Sequence, residues 1–308
     1  MDGAVQAGRR RSAAAAVVLA AVAAGAAVQG CSPAPPASGP LSAELNQFRD
    51  NYATQIIEIQ LNNTSSAPVT VFSAEVSTSL FPAGTGWANE PEGTEVPPGQ
   101  TKSLPATLPA PSCGNPGTNE EAGTYAGAAP AEIKVSVRVG STTSEMHLRA
   151  ADPFGVLARN HSELCLAEDA GHIARIDLAP ELEVAADGWT AVVRLQVTPL
   201  QVTPRGAGAG TPRALNIESI EGTTLLAEVP DSPWPRGVRV AAGAGPEEFR
   251  LRIRPARCDP HAVAEDKVGT LLPLRIDTGG RRGVLKVAAG SALKGQIHEF
   301  VSAACGGH

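Results

Sequence analysis

The chain has 308 residues, a net charge of −6 at neutral pH, a pI near 5.6 and only 4% aromatic residues. With no basic excess to neutralise phosphates, sequence-independent nucleic-acid binding is excluded as a role. Net negative charge favours solubility instead. Five cysteines divide as one plus four: Cys31 near the N-terminus, then Cys113, Cys165, Cys258 and Cys305 in two pairs of similar separation.

Residues 1–30 carry an export pattern. Arg9, Arg10 and Arg11 form a positive segment, and an apolar stretch of Ala and Val runs from Ala13 to Val28. At sixteen residues that stretch is shorter than the about 20 that a spanning helix needs. Ser32-Pro33-Ala34-Pro35-Pro36 follows Cys31 and stops any helix, because proline lacks the N–H and clashes with the preceding turn. One reading is an ordinary cleaved signal peptide with a cysteine nearby. Val28-Gln29-Gly30-Cys31, however, resembles the bacterial lipobox, with a branched apolar residue at minus three and a small one at minus one; Gln29 departs from that pattern. The resemblance implies that Cys31 receives a diacylglyceryl group, becomes the mature N-terminus and tethers the protein to the outer face of a cell membrane. Two or more acyl chains anchor stably where one is marginal, since each buried methylene contributes about 0.8 kcal/mol. Loss of residues 1–30 removes three arginines and Asp2, leaving −8 on the remaining 278 residues.

Past residue 41 the same order of features occurs twice. Thr54–Leu61 and Val69–Val76 precede Trp87 and Cys113; Ala191–Val197 and Leu215–Glu221 precede Trp234 and Cys258. Trp87 lies 26 residues before Cys113 and Trp234 lies 24 before Cys258. After each cysteine come two strand-like segments (Glu132–Val139 with Glu145–Arg149, and Leu271–Asp277 with Gly283–Val287) and a short apolar segment that ends at the next cysteine. The expected organisation is a signal peptide at 1–30, a tether at 31–41, and domains at 42–168 and 169–308.

Apolar residues take alternate places in Ile57-Glu58-Ile59-Gln60-Leu61, Ile133–Val139, Val238-Arg239-Val240 and Phe249–Ile253, which is the period of a half-buried strand. Pro97-Pro98-Gly99-Gln100, residues 206–212 and Gly279-Gly280 are turn signals. Many short alternating strands so punctuated predict an all-β chain of two tandem antiparallel, immunoglobulin-like sandwiches. Helical spacing is weak; Pro153–His161 and Ser291–Phe300 are expected to form one or two turns each.

Four cysteines outside the membrane permit three connectivities. The repeat selects Cys113 with Cys165 and Cys258 with Cys305. Each bond then closes a loop of roughly 50 residues and contributes about 4 kcal/mol in the chain-entropy model. A zinc site using these cysteines with His161 or His261 lacks any CxxC spacing.

Candidate chemistry concentrates in Asp259, His261, Glu265 and Asp266, residue types that bind divalent cations or supply a general base. The opposing expectation is a solvated turn after a disulfide, with Asp259 capping it. No GxSxG, SxxK, HExxH or phosphate-binding glycine loop occurs, so no catalytic residue and no cofactor are expected. Trp87 and Trp234 suit either a carbohydrate platform or the core.

As a whole the chain resembles exported actinobacterial lipoproteins with no assigned activity and tandem immunoglobulin-like or fibronectin-like domains. The resemblance rests on Val28–Cys31, on the tether Ser32–Pro40 and on the string Arg257–Lys267. It implies a membrane-anchored, non-catalytic binding or envelope-assembly role, with an envelope protein or polymer as partner. The alternative is a metal-binding or hydrolytic module centred on Asp259, His261 and Asp266.

Overall fold

In the computed structural model, residues 39–114, 131–201 and 214–306 are described; the export segment 1–30, Cys31 and residues 32–38 of the expected tether lie outside them, and Leu41 already belongs to the first strand. The order is β1 (Leu41–Asn46), a 3-10 turn (Arg49–Asn51), β2 (Ile56–Asn63), β3 (Val69–Thr78), β4 (Phe81–Ala88), β5 (Thr94–Val96), β6 (Thr101–Thr107), β7 (Glu132–Val139), β8 (Thr142–Ala151) and α1 (Val156–Gly171). The second half runs β9 (Ala174–Leu178), β10 (Glu183–Val184), β11 (Ala191–Pro199), β12 (Ala214–Ile220), β13 (Leu226–Glu228), β14 (Val238–Ala241), β15 (Glu247–Pro255), α2 (Pro260–Ala264), β16 (Leu271–Asp277), β17 (Arg282–Ala288) and α3 (Ser291–Gly306).

The first half forms one sheet of order β4-β3-β7-β8-β1-β2-β6, with β5 continuing the β4 side of β3. All pairings are antiparallel except a short parallel join of β1 to β8 (Ala43 with Ala150, Glu44 with Ala151). At the other end the Thr85 hydroxyl of β4 donates to the Thr107 carbonyl closing β6. The sheet therefore nearly closes on itself, which hides edges that would otherwise template further strands. The second half keeps two sheets, β9/β10-β11-β15-β13 and β14-β12-β16-β17. Strand order recurs between the halves: β1-β2-β6 matches β9-β11-β15, and β4-β3-β7-β8 matches β14-β12-β16-β17.

Alternation places the core. Ile57, Ile59 and Leu61 of β2 and Ile133, Val135 and Val137 of β7 face one cluster; Val193, Leu195 and Val197 of β11 and Leu272, Leu274 and Ile276 of β16 face another. Most of the described buried apolar residues divide between these two clusters, the first ending at Leu157 and the second beginning at Leu166. Both boundary residues belong to α1. Its N-terminal part packs on the first core and its C-terminal part on the second, so the expected boundary at 168/169 falls inside one helix.

The helices correct the expectation of one or two turns. Each of α1 and α3 has 16 residues, so the described residues are mostly β with two helices of several turns. α1 starts where Pro153 and Gly155 interrupt the strand, and the Asp152 carboxylate accepts from the backbone N–H groups of Val156 (2.7 Å) and Leu157 (3.1 Å). It is long but poorly patterned because Asn160, His161 and Asp169 share its buried side with Val156, Leu157 and Leu166. Each has a distant partner. Asn160 meets Gln47, His161 meets the Ser112 carbonyl, and Asp169 meets Arg281.

The disulfides join Cys113 to Cys165 and Cys258 to Cys305, with Cα separations of 5.5 and 5.1 Å. Each bond ties the segment after a long strand to the helix that ends the same half. In the second half, α1 packs against both β9 and β17, the strands equivalent to the joined β1 and β8. The seam that a parallel ladder closes in the first half is covered by a helix in the second.

Candidate functional site

The segment after Cys258 is ordered by its own acids. Asp259 caps the short α2: its carboxylate accepts from the His261 N–H at 2.9 Å and its carbonyl from the Val263 N–H at 3.0 Å. Asp266 is committed elsewhere. Its carboxylate accepts from the Thr224 hydroxyl and from the Gly269 N–H (2.6 Å), while the Thr223 hydroxyl donates to the Gly269 carbonyl at 2.7 Å. The chain crosses so tightly here that a Cβ on Gly269 would lie 2.4 Å from Leu225 Cγ. Asp266 thus fastens the 221–225 loop to the start of β16, whereas His261 and Glu265 are exposed. Among the described residues, no group of three or more His, Cys, Asp or Glu is placed to hold a metal ion.

This division of labour has a measurable consequence. Asp266→Ala leaves a hydroxyl and an N–H without their acceptor and is expected to lower unfolding free energy by about 1–3 kcal/mol. His261→Ala is expected to stay within about 0.5 kcal/mol of wild type. Urea titration of both variants checks this; the reverse ranking would place the loop's importance on the imidazole.

The tryptophans divide. Trp234 is buried in the second core and its indole N–H donates to the Arg252 carbonyl at 2.8 Å, so it is unavailable as a carbohydrate platform. Trp87 on β4 packs half-buried against the first core.

Where the halves meet, two cations approach the Tyr52 ring, with the Arg159 guanidinium 5.3 Å and the Lys286 ammonium 5.0 Å from its centroid. Lys286 is held by both carboxylate oxygens of Glu163 (2.7 and 2.9 Å). A cleft of about 90 Å³ opens beside these groups, between α1 and β17. On its rim Gln55 adopts a left-handed φ of 50°, a strained conformation for a residue with a Cβ. Nearby, Arg281 donates to Asp169 (2.6 Å) and to the Gly114 carbonyl (2.7 Å), and the Arg281 and Asp169 side chains are 14% and 9% exposed. A shallower groove of about 530 Å³ lies at the β3–β4 turn, with Glu75 and Glu132 on its sides.

Among the described residues, carboxylates outside the expected loop are electrostatically perturbed. Glu58 points from β2 under the 3-10 turn and is 5% exposed; burial and then Asp50 push its carboxyl above the usual glutamate range, although Asn51 donates to it at 3.0 Å. The exposed Glu183 is held low by the hydrogen bonds of Arg250. Asp187 is held low by the backbone N–H groups of Thr190 and Trp189. None of the contacts made by Arg281, Asp169, Lys286, Glu163 or Tyr52 was expected from sequence, because the partners lie more than a hundred residues apart.

No protein-family model matches the chain, and no curated protein matches it. Solved structures aligned with it include the CsuC–CsuE chaperone–tip adhesion subunit complex of Acinetobacter baumannii (8% identity, 77% of this chain and 93% of that chain, TM-score 0.20). The CupB2 chaperone of Pseudomonas aeruginosa gives 15% identity, 77% and 94% coverage and a TM-score of 0.20. The exo-chitosanase CsxA of Amycolatopsis orientalis gives 12% identity and a TM-score of 0.20, with 81% of this chain covering 26% of that one. At such scores these likenesses carry no functional argument.

Proposed function

We propose that the protein is a lipoprotein, tethered through Cys31 to the outer face of the cell membrane, that binds an envelope protein or polymer without catalysis. On this reading the two halves, which meet within α1, are immunoglobulin-like sandwich domains of common origin. The paired disulfides carry the proposal, because bonds of this kind form and persist in an oxidising, extracytoplasmic setting. Among the described residues no helix is long and apolar enough to cross a membrane. β1 begins ten residues after Cys31 and is flanked by β2 and β8, so a pull on the tether is shared by two neighbours. Contact surface comes from the second half, where β10, β13 and β14 end their sheets and Val184 of β10 is 54% exposed. An extended partner segment adds to such edges through main-chain hydrogen bonds.

Cell fractionation tests the anchoring. Wild type is expected in the membrane fraction, and Cys31→Ala in the soluble extracytoplasmic fraction. Retention of the variant in the membrane would remove lipidation as the anchor.

A further inference from the structure

The two disulfides have different surroundings. Cys258 is exposed and Cys305 half-buried. Cys165 is fully buried, Cys113 is half-exposed, and an imidazole stands beside the bond. His161, one helical turn before Cys165, places Nε2 3.7 Å from Cys165 Sγ and 3.0 Å from the Ser112 carbonyl oxygen. That carbonyl is an acceptor, so Nε2 carries the proton and donates. Phe81 meets the imidazole edge-on at 6.1 Å and His161 is 9% exposed, which fixes the ring in place. One residue past Cys113, the Gly114 carbonyl accepts a hydrogen bond from Arg281.

We propose that Cys113 is a thiol-exchange site that takes low-molecular-weight thiols as mixed disulfides. The external thiolate attacks Cys113 Sγ, a new S–S bond forms there, and the Cys113–Cys165 bond breaks. The electron pair leaves on Cys165 Sγ as a thiolate that accepts the His161 Nε2–H. Return attack by Cys165 on Cys113 expels the same thiolate, so the exchange balances without an oxidant. Attack is directed by access, since Cys165 is buried, and by leaving group, since a thiolate stabilised by a donor leaves faster. Opening the bond also frees the segment that holds Arg281, which links thiol status to the junction between the halves. The inference is independent of the anchoring proposal.

Full-length protein incubated with reduced glutathione, quenched with N-ethylmaleimide and mapped as non-reduced peptides tests it. Glutathione is expected on Cys113 and maleimide on Cys165 in the wild type. His161→Asn is expected to slow this exchange about tenfold, with exchange at Cys258–Cys305 unchanged. His161→Gln, which keeps a donor on a longer arm, is expected to recover part of the rate. Glutathione on Cys165, no adduct at either cysteine, or an undiminished rate in His161→Asn would overturn the proposal.

Discussion

Leu166→Ala is expected to destabilise the protein by about 2–5 kcal/mol, the range for truncating a fully buried leucine. Leu166 is 1% exposed and packs with Ile173, Ala174 and the strands of the second half, although its helix is tied by Cys165 to the first. Leu157, nine residues earlier on α1, faces the first core. The separation along the helix is about 13 Å at 1.5 Å per residue, enough for one rod to enter two cores. Hydrogen exchange then discriminates between a shared helix and a local one. Leu166→Ala is expected to lower protection in β11 and β16 and to reduce it measurably in β2 and β7. Leu157→Ala is expected to show the opposite emphasis. A cost below about 1 kcal/mol for Leu166→Ala, or loss confined to β1 to β8, would mean that α1 serves the first half alone.

Asp169→Ala is expected to cost about 3 kcal/mol, because it strands the largely buried Arg281 guanidinium against a single carbonyl. Removing both charges as Asp169→Leu with Arg281→Met is expected to recover most of that loss. Replacement of a desolvated pair by apolar groups of similar size is often neutral, whereas breaking one partner is not. The resulting double-mutant cycle is expected to give a coupling energy of about 1.5–3 kcal/mol, measured by calorimetry or denaturant titration. A coupling near zero would show that the pair is solvated and that the other contacts of α1 join the halves. Exposed pairs such as Arg250 with Glu183 serve as the contrast, since screening leaves them little to contribute.

The sheet was largely legible because its strands alternate. Glu132–Val139 and Leu271–Asp277 coincide with β7 and β16, and the pairing of cysteines follows the repeat that their spacing reveals. β4 was not legible: Pro82, Gly84 and Gly86 interrupt its alternation, and pairing with β3 makes it a strand. The length of α1 was hidden for a related reason. Asn160, His161 and Asp169 read as polar positions that break a helical stripe, yet each is buried with a partner supplied from far along the chain. In the acidic loop the expected cap by Asp259 is present, but the role of Asp266 was not legible. Asp266 stands close to Asp259 and His261 in sequence, but Thr224, 42 residues away, takes its carboxylate. Local spacing reports strands well and reports the long-range partners of single polar residues poorly.

The tether at Cys31 is tested most directly by the intact mass and N-terminal peptide of protein extracted from membranes with detergent. The expected result is a chain beginning at Cys31 whose first residue carries a diacylglyceryl group. A chain beginning elsewhere, or an unmodified Cys31 on membrane-retained protein, would contradict it.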